Sequence, residues 1–275
     1  MKKPSKRSRK IALYAAPPVL LLSAALLAPL LAPRDPLALS LSNTLSPPSA
    51  EYPLGTDELG RCILSRLLAG SRLTLGTALV IEASILGAGV AAGLAAGFFA
   101  GVFDALLVCI IDILLAFPSI ILALVLSGVL GAGLHNLTLA MMAVYWVEPA
   151  RIARSSARAA REKEFVLSAR ALGCSSARII FKHVLPEILP AMLVFGTMQT
   201  AHIVIALSSL SFLGLGARPP APEWGALLAE QRNNLFGNPL AAAALLLCLT
   251  LSCACFQYSG EKLRDTLNPC RSCLP

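Results

Sequence analysis

Long apolar runs separated by short basic blocks dominate this chain. About 20 apolar residues in a row cross the hydrocarbon of a bilayer. Hydropathy and helix breakers mark six such runs, near 11–32, 73–99, 105–130, 137–150, 188–209 and 239–258. Only 14% of the 275 residues are charged and 56% are hydrophobic, against roughly 25% charged in a soluble domain. Lipid offers no partner to a backbone N–H, so each run must satisfy its own hydrogen bonds as a helix. The expected fold is all-α and integral to the membrane, a single six-helix bundle.

The basic residues orient the bundle. With the N-terminus inside, the inner pieces 1–10, 151–187 and 259–275 hold six, eight and three Lys/Arg, and the outer pieces 33–72 and 213–238 hold four and two. That excess satisfies the positive-inside rule. Five or seven spans would put a basic block outside, so both termini are expected in the cytoplasm. The first run continues through Pro29 and Leu30 to Pro33, which reads as an uncleaved helix rather than a signal peptide. The organisation expected is a basic N-terminus and first helix over 1–35, an external linker over 36–72, a membrane core over 73–260 with a cytoplasmic loop at 151–187, and a tail over 261–275.

A net charge of +8 does not indicate nucleic acid, because the basic residues form blocks between spans and not one face. Six cysteines (62, 109, 174, 248, 253 and 255) lack ligand spacing, and in apolar spans a thiol acts as a small hydrophobe. Cys270 and Cys273 form a Cys-x-x-Cys with no second pair to complete a zinc site. No Walker loop, His-Glu-x-x-His or Gly-x-Ser-x-Gly occurs, so no catalytic residue, metal site or cofactor is expected. Any uphill transport must draw its energy from a partner.

Within the spans, glycines at 89, 93, 97 and 101 recur every fourth residue, the small-residue pattern of close helix packing. Glu82 falls on the same face, so it should lie in that interface. It is either an ion or proton site or, as favoured here, a carboxylate paired with a neighbouring helix. Asp112, six residues before the helix-bending Pro118, is read the same way. Gln199, His202 and Ser209 fall on one stripe of the fifth span, with Ser208 beside it. They either line a translocation path or, as favoured, make interhelical hydrogen bonds.

The loop 151–187 is the most informative cytoplasmic piece. Phe165, Ala169 and Leu172 recur at helical spacing, Gly173 interrupts, and a second amphipathic stretch runs from Ser175 to Val184 before Leu185-Pro186. Two short helices with a glycine hinge make a knob beneath the bilayer, suited to docking in a groove of a soluble subunit. The alternative is a basic loop resting on anionic lipid.

This segment resembles the coupling loop of permease subunits in binding-protein-dependent ABC importers of the peptide/nickel group. The family's Glu-Ala-Ala, Gly and Ile-x-Leu-Pro positions map onto Leu167-Ser168-Ala169, Gly173 and His183-Val-Leu185-Pro186. Leu167 stands where the family has glutamate. Three further stretches are similar to the group: Pro53-Leu-Gly-Thr-Asp-Glu-Leu-Gly-Arg61 with Leu64-Ser-Arg66, in which Cys62 replaces an expected aspartate; Leu210-Ser-Phe-Leu-Gly-Leu-Gly216 with the Pro-Glu-Trp-Gly ending at Gly225; and residues 260–269. The resemblance implies a six-helix, MetI-like type I permease of the bacterial or archaeal cell membrane. Its implied partners are a homologous permease, two cytoplasmic ATPases and an external binding protein, besides membrane lipid. It implies ATPase coupling through Glu164, Ala169, Arg170, Gly173, Arg178, His183, Leu185 and Pro186, and contact of the outer loops, including Trp224, with the binding protein. Nickel or a metal chelate is slightly favoured over di- or oligopeptides as the solute. A secondary transporter or channel using Glu82, Asp112 and His202, or a purely structural scaffold, are the rival classes.

Overall fold

The computed structural model describes residues 6–267, and within them the chain is all-helical, as expected. The helices are α1 (Lys6–Leu31), α2 (Ile63–Phe99), α3 (Val102–Leu115), α4 (Ser119–Leu130), α5 (Leu134–Tyr145), α6 (Val147–Arg161), α7 (Glu164–Ala171), α8 (Ser176–Ile179), α9 (Leu185–Phe212), α10 (Trp224–Gln231) and α11 (Pro239–Leu267). Cys270 and Cys273 lie outside the described residues.

Four helical stretches are long and apolar enough to cross a membrane: Lys10–Ala28, Ile63–Phe99, Ser176–Phe212 and Pro239–Leu267. Counted together, the bent pair α3 and α4 would make a fifth. Several boundaries differ from the sequence reading, each for a physical reason. The second span starts at Ile63 and not near 73, because Arg66 is buried in an ion cluster and the helix passes straight through its charge. The third is broken as Pro118 requires, with α3 and α4 meeting at 87°; proline removes an N–H and forbids helical geometry at the residue before it. The fourth does not form one long apolar helix. α5 has 12 residues, a rise of only about 18 Å, and passes through Trp146, itself in helical geometry, into the arginine-rich α6. Pro149 falls in the first turn of α6, where its missing N–H costs nothing.

The fifth span also departs from expectation. Leu185-Pro186 does not end the loop, since one helix runs unbroken from Ser176 to Phe212. Its turn Ile180–Val184 is π-helical. Pro186 would clash with the carbonyl four residues earlier, at Lys182, and the wider π turn at that position accommodates the ring. The sixth helix continues to Leu267, into the first half of what was expected to be a tail.

Helix α2 is the hub. It packs on α6, α9, α1 and α5, while α11 closes against α9 and α1. Two cores result. One, with Leu75, Ile81, Leu207, Leu210 and Trp224, fills the end bearing α10. The other, with Phe98, Ala157, Val166, Ile179 and Met192, fills the end bearing α7 and α8.

The glycine stripe does what its spacing suggested, at three of four positions. A Cβ on Gly89, Gly93 or Gly97 would fall 2.7, 2.2 or 2.3 Å from the carbonyl oxygen of Trp146, Ala150 or Arg154 respectively. Helices α2 and α6 therefore meet backbone to backbone. Gly101 does not join them, having no neighbour within 4 Å and a φ of +76° in the turn after α2. Replacing Gly93 by valine is expected to push the two backbones apart, at a cost of about 1–3 kcal/mol or more, and to deplete folded protein in membranes. Gly76→Ala, which meets nothing within 4 Å, should leave the amount unchanged; equal yields of the two variants would contradict the packing.

Candidate functional site

At one end of the bundle, α7 and α8 form the expected knob. Lys163 in extended geometry starts α7, and Gly173, with φ +77°, reverses the chain after it. Ser175 then caps α8, its hydroxyl accepting the Arg178 N–H at 3.4 Å. A side chain with a Cβ at Gly173 would be strained whatever the space around it. Val166, Ala169, Ile179, Ile180 and Val184 anchor the knob against Leu94 and Phe98 of α2 and Ala153 and Ala157 of α6. Arg170 lays its guanidinium 5.5 Å from the Phe98 ring centre, and Phe165 meets the His183 ring at 6.2 Å.

The inward face differs from the spacing argument. Ala169 points in, but Phe165 and Leu172 point out, and Val166 takes their place. Leu172 and Phe181 are 84% and 69% exposed. Among the sequence-assigned coupling residues, Glu164, Arg170, Gly173, Arg178 and Pro186 are exposed, His183 and Leu185 half-buried, and Ala169 buried. Lys163 pairs with Glu187 at 2.5 Å, a solvent-exposed link worth little. The knob thus presents large apolar side chains ringed by charge to whatever lies beneath it.

The polar stripe of α9 is only partly assembled. His202 is exposed in a groove of about 430 Å³ between α9 and α11, with Thr250, Cys253 and Gln257. Ser209 lies in the next groove, about 570 Å³, which shares Ile205 and Leu249 with the first. Gln199 is turned inward, 6% exposed. The interhelical hydrogen bond favoured for His202 does not form among the described residues. The oxygens of Gln257 and Gln231 and the Ser208 hydroxyl line these grooves without partners. Glu82 does lie in the interface, against Gly196 of α9, but neither carboxylate oxygen finds the expected partner. Asp112 is exposed beside Asp104 and Arg154, which bond each other, in a third groove of about 760 Å³. Among the described residues no three metal-ligating side chains converge.

The opposite end is held by a charged clamp that sequence reasoning missed. Asp57 accepts from Arg61 Nε at 2.7 Å and from Arg66 Nη1 at 2.6 Å, and both arginines reach Glu230 of α10. Asp57, Arg61 and Arg66 are each under 5% exposed, so removing one would strand buried charge. Cys62, at the N-cap of α2, makes no capping bond; an aspartate there would cap the helix. Trp224 is not an outer contact. It is 2% exposed, its ring N–H donating to the Leu67 carbonyl at 2.9 Å. Beside it Glu223 accepts the N–H groups of Gly225 and Ala226 at 3.0 Å and the Thr74 hydroxyl at 3.2 Å.

With this geometry, comparison with known proteins is decisive. The profile described as "Binding-protein-dependent transport system inner membrane component" matches residues 89–263. The chain belongs to that family. The Escherichia coli K12 nickel transport system permease protein NikC is 36% identical over 237 residues, 86% of each chain. The glutathione transport system permease protein GsiD of Escherichia coli O157:H7 is 38% identical over 254 residues, 91% of this chain and 83% of its own; that of Shigella dysenteriae serotype 1 is 37% identical over the same length.

This permease is therefore a multi-pass inner-membrane transport subunit and not an enzyme. The family match starts at the first glycine of the α2–α6 contact and includes the knob, whereas the Asp57–Arg66 part of the clamp precedes it. Burial, opposed by its hydrogen bonds, raises the Glu223 carboxyl above its ordinary value of 4.5. Folding therefore takes up a proton there, and the stability involved is full at low pH and declines as pH rises through the range above 4.5. The thermal midpoint of the solubilised permease should fall less between pH 5 and 8 in Glu223→Gln than in the wild type; an equal fall would contradict the assignment.

Proposed function

We propose that this permease forms, with a homologous permease, the transmembrane path of an ATP-driven importer fed by an external binding protein and powered by two cytoplasmic ATPases. The knob of α7 and α8 is the observation that carries the reading. It is rigidly rooted in a core shared with α2, α6 and α9, and it offers Leu172 and Phe181 to a partner. Burying such side chains is worth about 1.5–3 kcal/mol each, and lipid headgroups offer no matching groove. Glu164, Arg170 and Arg178 form its charged rim, and Gly173 sets its angle.

In this reading six crossings leave both termini and the knob in the cytoplasm, with α5 and the start of α6 supplying the fourth. ATP-driven closure of the ATPases displaces the knob. Helix α9, continuous with it through the π turn, moves against α2 and α11, opening the path outward; hydrolysis resets it inward. His202 and Ser209 line that path, and the unpartnered amide and hydroxyl groups beside them await water or solute. The clamp end meets the binding protein through its exposed apolar tips, Leu213 and the fully exposed Phe236, in place of Trp224.

Nickel or a metal chelate is the solute favoured by the likeness to NikC. A peptide is the second reading, favoured by the likeness to the glutathione permeases over slightly more of the chain. Gly173→Val forces a β-branched residue into left-handed geometry and re-aims the knob. ATP-dependent uptake by cells carrying this variant is expected to fall at least about tenfold, equivalent to about 1.4 kcal/mol of coupling, with permease abundance unchanged. Full uptake, with no ATPase copurifying with the wild type, would refute the reading.

A further inference from the structure

We propose that the cavity beside Arg72 and His135 is a binding site for the carboxylate of the transported solute. The inference rests on the importer reading and narrows its substrate class. The cavity lies at the clamp end, between the start of α5 and the exposed face of α2, and has a volume of about 900 Å³. Small-molecule sites are of this size, mostly apolar with a few polar groups that fix orientation. Here Leu73, Val80 and Leu134 supply apolar wall, and Arg72, Thr77 and His135 the polar groups.

Charge decides the ligand. No acidic residue lines the cavity. Asp35, beside the lining residue Pro36, accepts the Leu37 N–H at 2.9 Å and is not itself among the lining residues. Of the four arginines between 33 and 72, Arg34 pairs with Glu51, and Arg61 and Arg66 are held in the clamp. Arg72 makes no ion pair or hydrogen bond among the described residues and stays exposed. A guanidinium presents a planar fork that fits a carboxylate through two parallel bonds.

The backbone keeps access open. Arg72, Gly76 and Val80 follow at four-residue intervals on one face of α2, and a Cβ on Gly76 would meet nothing within 4 Å. The Thr138 hydroxyl is spent on the Leu134 carbonyl at 2.7 Å, which leaves Arg72, His135 and Thr77 as the groups facing an incoming anion. A bare divalent cation is repelled by this lining. A peptide with a free C-terminus fits it, as does nickel wrapped in a carboxylate chelator. Both sources share the same recognised group.

The test uses cells expressing the full transporter with wild-type, Arg72→Glu, Arg72→Lys or His135→Gln permease. Four labelled probes are offered: a tripeptide acid, its C-terminal amide, nickel with citrate, and nickel chloride alone. The wild type should carry the tripeptide acid or the citrate complex faster than the amide or bare nickel, and whichever it carries identifies the source. Arg72→Glu should lower that uptake about tenfold or more, Arg72→Lys should restore most of it, and His135→Gln should fall between, as expected when a charged partner is reversed or weakened. The proposal is overturned if Arg72→Glu transports as well as the wild type. It is equally overturned if the amide or bare nickel is carried best, or if neither carboxylate probe enters. ATP hydrolysis by the purified wild-type assembly is scored separately. Hydrolysis with an indifferent Arg72 refutes the carboxylate site alone, whereas a permease that copurifies with no ATPase refutes the importer reading.

Discussion

Everything in this bundle hangs on the contact between α2 and α6, where three glycines let one helix lie against the backbone of the other. In lipid there is no hydrophobic gain from pressing two apolar helices together, so association depends on packing and on polar contacts. The small-residue seam supplies that packing over two full turns. It fixes where α6 leaves the bundle, and with it where the arginine-rich end of α6 and the knob that follows are delivered. Arg154 and Asp104 then tie α3 to the same seam.

From that fixed seam, α9 is the element that can transmit motion. It is a single helix from Ser176 to Phe212, rooted in the knob core at one end and packed on α10 at the other. Midway, Gly196 rests on a buried carboxyl that has no partner. A buried polar group without a hydrogen bond costs several kcal/mol in the strictest reference states, so Glu82 adds a cost to the α2–α9 contact that the glycine seam does not carry. In the proposed mechanism this continuous helix is what carries a push at the knob to the grooves beside His202. The clamp of Asp57, Arg61, Arg66 and Glu230 holds the other end together.

Much of the architecture was legible in the residues because lipid imposes simple rules. Hydropathy found the long spans, the four-residue glycine repeat found the α2–α6 seam, Pro118 found the break, and Gly173 found the hinge. What failed were features decided by tertiary partners. The second span was started near 73 because the burial of Arg66 among carboxylates cannot be read locally. Pro186 looked like a terminator because a π turn is invisible in sequence. Trp224 looked like a surface anchor, although the Pro-Glu-Trp-Gly run is a buried capping motif. The spacing of Phe165, Ala169 and Leu172 identified a helix but did not tell which of them turns inward. The clamp could have been suspected, since Asp57, Arg61 and Arg66 put one acid and two bases within ten residues of a stretch that was noted only for its resemblance.

The central claim is that the knob is gripped by a separate motor on the cytoplasmic side. A photocrosslinking residue placed at Leu172 in the intact transporter tests it most directly, since this side chain points away from the knob's core. The account predicts a crosslink to a nucleotide-hydrolysing subunit, changed in yield by ATP, and protection of this position from an impermeant reagent added to whole cells. Labelling from outside the cell, or a crosslink to lipid alone, would contradict it.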